Sequence, residues 1–234
     1  MLYFISQIDE GLAAAISYNI RVHVPKGLET PLNQNVPADS DPKKYTSIVK
    51  EGSLDKSAAL SMLHTVKDSI RKRKIAILVA DGVNSGNVLA VKDSLVKEGA
   101  AWDIIASRAG FVSGEDNTAI MISKSFLTTS SVFYDAVYIP GGINNVALLK
   151  ADPDAIHFLN KAFKHCKAIA ADTAALQALK PTYFRRKLPE DMTDETAQTE
   201  GAIIGAGQKF ISQFIKAIAQ HRFWEREKVR KVPA

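Results

Sequence analysis

Three turns in this chain carry the residue types from which a site could be built, and each lacks part of a catalytic set. The first, DGVNSGN over 81–87, has two glycines without the GxGxxG spacing that lets backbone amides close on a pyrophosphate, and no Walker lysine follows. The second, IPGG over 139–142, could aim the N–H groups of Gly141 and Gly142 into a concave site and so form an oxyanion hole for acyl transfer. A tight strand-to-loop turn is its plainer reading. The third, IAADTAAL over 169–176, stands where a protease or amidotransferase would hold Cys or Ser between strand and helix. Ala170 and Ala171 cannot attack, Thr173 has no neighbouring histidine, and Asp172 suits a helix cap as well as a general base.

The single cysteine, Cys166, lies in HCK at the end of a helix, one step before a strand and at the sheet edge opposite the three turns. Lys167 and His165 could lower its thiol pKa, but a partly buried inert thiol is the plainer reading. One cysteine allows no intramolecular disulfide and no Cys-rich zinc site, and His23, His64 and His157 are not spaced as ligands. Met62, Met121 and Met192 read as gap fillers, and the clusters RKRK (71–74) and RRK (185–187) as solvated rims or docking points. No catalytic, cofactor-binding or metal residue is assigned.

The elements that must position these turns are legible from periodicity. Ile5, Ile8, Leu12, Ile16 and Ile20 recur three or four apart, the stripe of one amphipathic helix despite Gly11. From Val22 to about Ser57 the periodicity vanishes and Pro25, Pro31, Pro37 and Pro42 accumulate, as in an extended linker arm; the domain boundary is expected near 69–73.

Beyond that boundary, IAILVA is the continuous apolar run of a strand covered on both faces. A helix capped by Asn84 or Ser85 follows, with Val88, Leu89, Val91, Leu95 and Val96 as its apolar face and Gly99 at its end. Strands at AWDIIAS and DAVYIP, with a hairpin around SGEDN returning through TAIMIS, lead to a helix opened by Asp152-Pro153. That helix turns Ile156, Leu159, Ala162 and Phe163 inward. Strand KAIAA, a short helix TAALQAL, the acidic loop PEDMTDETAQTEG, strand AIIG and a last helix with Phe210, Ile211, Phe214, Ile215 and Ile218 inward complete the series. Alternating βα units from residue 74 onward predict an α/β fold, a flavodoxin-like doubly wound parallel sheet preceded by the amphipathic helix and arm. Ligands of such sheets gather beyond the carboxyl ends of the strands, where the three turns lie.

The 234 residues are 46% hydrophobic and 24% charged, a globular composition that excludes collagen-like and disordered chains. The net charge of +5 is concentrated at the end, where HRFWEREKVRKVPA holds five Lys or Arg against two acids; the body is nearly neutral, which speaks against a nucleic-acid-binding face. No apolar run reaches membrane-spanning length, and the start MLYFISQIDE has no basic region or cleavage pattern, so no membrane association and a cytoplasmic, reducing setting are expected.

Several segments in order resemble the carboxyl-terminal part of large-subunit (clade 2) haem catalases: IDEGLAAAI, IAILVADGVNSGNVLAVKDSL, SRAGFVSGE, DAVYIPGG, AFKHCKAIAA and AQHRFWEREKVRKVPA. The resemblance covers nearly the whole chain. It implies that residues 1–20 correspond to the last core helix, 21–73 to a linker, and 74–234 to a flavodoxin-like domain similar to the PfpI, deglycase and class I glutamine amidotransferase superfamily. The haem-binding core is missing, and neither Tyr18 nor Tyr183 has the arginine four residues earlier that supports a proximal ligand in that family. The PfpI-like pattern, placed on this sequence, puts the nucleophile position at Ala170 and its acidic partner at Asn87, while the amides of Gly141 and Gly142 remain. The implied function is that of a non-catalytic domain of a hydrogen-peroxide-degrading catalase, without cofactor of its own. It would stabilise a tetramer by contact with the catalase core or other subunits of a homo-oligomer, and could act as a chaperone-like module. The alternative is a PfpI-like hydrolase or deglycase using Cys166 or Thr173.

Overall fold

The computed structural model describes residues 2–24, 26, 58–61, 64, 68–188 and 196–226. Most of the expected arm, Met62, Met192 and the end of the basic tail lie outside the described residues. The chain divides into two compact units, Met1–Ala58 and Ala59–Ala234.

In the first unit the single helix expected over 5–20 is two, α1 (Leu2–Ile8) and α2 (Glu10–Ile20). Asp9 breaks it. Its backbone is extended, and its side chain accepts from the Leu12 N–H at 2.9 Å, capping α2. The break dissolves the continuous stripe: Ile8 is 89% exposed and Leu12 and Ile20 each 53%.

The second unit is built on a seven-stranded sheet. Its strands are β1 (Lys74–Leu78), β2 (Ala101–Ala106), β5 (Lys124–Ser125), β6 (Ala136–Ile139), β7 (Ala168–Asp172), β8 (Ala197–Thr199) and β9 (Ala202–Gly205). The order is β5-β2-β1-β6-β7-β9-β8, all parallel except β8, which runs antiparallel to β9. The expected hairpin pairs β3 (Phe111–Ser113) with β4 (Ala119–Met121). On β1, Ile75, Ile77 and Val79 face one side and Ala76, Leu78 and Ala80 the other, and all are buried. The first side is covered by α3 (Ser85–Lys97) and α6 (Gly207–Gln220), the second by α4 (Ile143–Ala151) and α5 (Pro153–Lys164). Because β1 leads to β2 on one side and pairs with β6 on the other, the crevice at its carboxyl end is the topological switch point.

Helix α4 was not foreseen, since INNVALLKA follows two glycines and opens with asparagines that read as turn, yet Val146 and Leu149 are buried. The edge strands β5 and β8 are two and three residues long, too short to show a period. The apolar face of α3 is narrower than expected: Val88, Val91 and Leu95 are buried, whereas Leu89 and Val96 are 55% and 60% exposed. On α5, Phe158 is buried where Ile156 was expected, and on α6 Ile215 is only half-buried.

The basic clusters are not simple rims. Arg73 and Lys74 pair with Asp135 (3.6 Å) and Asp103 (2.7 Å), and Lys187 with Glu200 (2.6 Å). The terminal segment is anchored as well. Arg226, buried, donates to the carbonyls of Glu200, Phe163 and Lys167 and stacks 3.9 Å over the Phe163 ring. At least that cation is unavailable to a nucleic acid.

Candidate functional site

Two glycines let the turns after β1 and β6 lie against each other. Gly142 has φ +116, and a Cβ there would stand 2.2 Å from the Gly82 carbonyl oxygen; one on Gly82 would meet Asn144 at 2.6 Å. Asn84 N–H donates to the Gly141 carbonyl at 3.0 Å. Beneath them the fully buried Asn145 accepts from Ala80 N–H at 2.6 Å and donates to the Pro140 carbonyl at 2.8 Å, stitching the ends of β1 and β6 together.

Asp172, the last residue of β7, occupies the centre of this arrangement and is 4% exposed. Its Oδ1 accepts from the Tyr138 hydroxyl at 2.8 Å; its Oδ2 accepts from Asn87 Nδ2 at 2.7 Å and from Gly141 N–H at 2.7 Å. Burial pushes the carboxyl above its ordinary value, and the three donors pull against that shift. Burial, then the neighbouring charge of Asp172 and its hydrogen bond, raise the Tyr138 phenol, so it stays a donor at neutral pH. Asp172 makes no capping bond to the 3-10 helix Thr173–Leu179 that follows, so it is not that helix's cap but an acceptor for three donors of the chain itself.

Above Asp172 opens a cavity of about 640 Å³, lined among others by Asn84, Asn87, Glu115, Gly141, Thr173 and Gln177. Glu115 at its rim accepts from Asn84 Nδ2 and from Ile143 N–H, both at 3.3 Å. A second cavity of about 440 Å³ lies between α3 and the hairpin, with Lys92 4.2 Å over the Trp102 ring. None of the polar residues that line it is buried, whereas the switch-point cavity contains the buried Asp172, so the switch-point cavity is the candidate site.

The fold redistributes the expected positions. Ala170 is not at the cavity: it lies inside β7, fully buried, between Tyr138 on β6 and Ile203 on β9. The residues at the strand end are Asp172, Thr173 and Ala174. Asn87 and Gly141 do meet, as the resemblance implied, but around a carboxylate of the chain itself. The acid-partner position is Asn87, and the carboxylate present at the site is that of Asp172. Thr173 lines the cavity with no histidine among its neighbours there.

Cys166 is buried in left-handed backbone (φ 59) at the amino end of β7, roughly 13 Å of strand from Asp172. Beside it burial, the repulsion of Arg222 and the opposing pull of Asp135 leave the Lys167 ammonium at about 8. His23, His64, His157 and His165 are exposed, and no group of metal-binding side chains occurs among the described residues. The buried tyrosines Tyr138 and Tyr134 do not fit a haem ligand, since they give their hydroxyls to Asp172 and Asp103. Tyr138 and Asn145 escaped the sequence reading. The one available signal was a polar-tipped residue inside the otherwise apolar run DAVYIP.

Residues 71–228 match the family model described as the C-terminal domain found in long catalases. Among curated relatives, a catalase HPII of Pseudomonas aeruginosa is 32% identical over 97% of this chain and 28% of its own length. A catalase HPII of Mycobacterium avium is 29% identical over 98% of this chain and 30% of its own length. The chain thus spans about 30% of the length of these relatives. Among solved structures, Drosophila melanogaster DJ-1beta superposes with a TM-score of 0.55 at 17% identity, covering 70% of this chain and 100% of its own. That likeness establishes the DJ-1/PfpI type of flavodoxin-like fold.

Proposed function

The chain belongs to the family of C-terminal domains found in long catalases, and from that premise we propose that it is a non-catalytic domain serving a hydrogen-peroxide-degrading haem catalase. Its partners are a catalase core and the other subunits of a homo-oligomer, which it stabilises, in the cytoplasm. The observation that carries this reading is the extent of the match: relatives align over 97% and 98% of this chain, while about 70% of their own length lies outside the matching segment.

The site supports the non-catalytic half of the proposal. An oxyanion hole needs free donors, and of the two candidate amides that of Gly141 is already bound to Asp172. The exposed Ile8, Leu12 and Ile20 offer apolar surface for docking, and the same surface would suit a chaperone-like module.

The test adds the full chain to a long catalase truncated before the matching segment. Co-elution on size exclusion and a higher inactivation temperature of the peroxide activity are expected. Absence of both, or hydrolysis of glyoxal adducts by the chain alone that Cys166→Ala or Thr173→Ala abolishes, would refute the proposal.

A further inference from the structure

We infer that the carboxyl end of β7 carries a carboxylate receptor which the chain fills with its own Asp172. Three donors from three elements converge on one point: the Tyr138 hydroxyl from β6, the Gly141 N–H from the turn after it, and Asn87 Nδ2 from the first turn of α3, at 2.7–2.8 Å. Tyr138, the Gly141 turn and the backbone that carries Asn87 are held by contacts other than those to Asp172. Tyr138 is fully buried against Phe210 and Phe214. The turn containing Gly141 is fixed by Asn145 and by the tight approach of Gly142 to Gly82. The backbone of Asn87 is anchored by the Asn84 cap at 2.9 Å. The donors therefore form a preorganised anion hole rather than a set recruited by the side chain.

Asp172 reaches that hole from the floor of an open cavity. Deleting its carboxylate leaves a vacancy with three donors and a route to solvent, which a small free carboxylate fits in size and charge. Asp172→Ala removes the equivalent of formate and Asp172→Gly the equivalent of acetate. Asp172 sits at φ −57, where alanine is unstrained. In the native chain the position is taken, so diffusible carboxylates do not enter, and the remaining cavity suits neutral or cationic ligands beside Asp172 and Glu115.

The test measures thermal unfolding of the full chain in sodium formate against sodium chloride at equal ionic strength. Asp172→Ala is expected to unfold at lower temperature than wild type and to recover about 5 °C in saturating formate. Wild type and Asp172→Asn, whose amide still fills the space, should respond to both salts alike. Equal responses in all three proteins would overturn the inference. If Asp172→Ala does not fold in chloride, refolding yield in formate against chloride becomes the readout, and equal yields overturn it too. In the otherwise native chain, Asn87→Ala should move the Asp172 carboxyl titration upward by carbon NMR; an unmoved titration would show that the donors do not form a receptor. None of these readouts depends on a catalase partner.

Discussion

Asp135 offers the clearest stability test, because four groups from separated parts of the chain meet on one carboxylate. Lys74 N–H donates to it at 3.0 Å, and Arg73, the His221 ring and Arg222 stand 3.6, 3.4 and 3.8 Å away. Burial alone would raise this carboxyl, but the His221 contact, the Lys74 amide and the two guanidinium groups outweigh it and hold the carboxyl at about 2, against an ordinary 3.8. The side chain is 23% exposed, so the pairing is only partly screened. The difference corresponds to about 2 kcal/mol. A carboxyl held below its unfolded value contributes stability that is fully present above pH of about 4 and is lost as the pH falls through about 2. Asp135→Asn keeps an acceptor for Lys74 N–H and removes only the charge. Urea unfolding followed by the fluorescence of Trp102 and Trp224, both in the α/β unit, should show the variant weaker by about 2 kcal/mol at pH 7. The gap should close between pH 4 and 2, where wild type also becomes neutral. A gap that stays constant over that range would refute the electrostatic account and leave only lost packing.

Three further substitutions separate packing effects at the two ends of the sheet. Gly142→Ala should destabilise by at least about 3 kcal/mol in the same assay, because its Cβ would overlap the Gly82 oxygen at 2.2 Å. Gly207→Ala, with φ +72 but nothing within 4 Å, should lose only about 1 kcal/mol. Arg226→Met keeps a long apolar side chain over Phe163 but abandons the carbonyls of Glu200, Phe163 and Lys167, and should cost about 3 kcal/mol. Amide exchange should quicken at Phe223, whose N–H donates to the Cys166 carbonyl, while Ala76 in β1 keeps its protection.

The doubly wound sheet could be read from the sequence because each central strand is apolar on both faces and each long helix repeats its apolar residues at the helical period. What escaped was governed by contacts between distant segments. Helix α4 depends on Val146 and Leu149 meeting α5 and the sheet, which overrides an opening of Gly and Asn that reads locally as turn. Asp9 divides the first helix because a capping side chain defeats a stripe that periodicity alone would continue. The site shows the same limit. IPGG and Asn87 were legible as candidate positions, but the spacing of 85 residues between Asn87 and Asp172 holds no sign that they touch. The resemblance placed the critical position at Ala170, two residues too deep in the strand. Only the pairing of Tyr138 with Ala170 and of Ile139 with Ala171 shows which residue emerges at the sheet's end.

The two ends of β7 divide what a reactive site would unite. The thiol is at the amino end, enclosed behind Lys167 and the Arg226 anchor, while the glycine turn and the cavity are at the carboxyl end. No side-chain motion spans a five-residue strand, so Cys166 cannot serve the amide at Gly141. At the cavity, three of the roughly four acceptor positions of a carboxylate are used by Asp172 in contacts within the protein. Burying that charge is unfavourable by itself, and the donors offset it while joining β6, β7 and α3 at the switch point. At the crevice that open α/β sheets offer to substrates, the carboxylate thus ties the surrounding elements together while the cavity above it stays open. On the proposed reading, such cohesion at the switch point is what a domain needs if its task is to support a larger assembly.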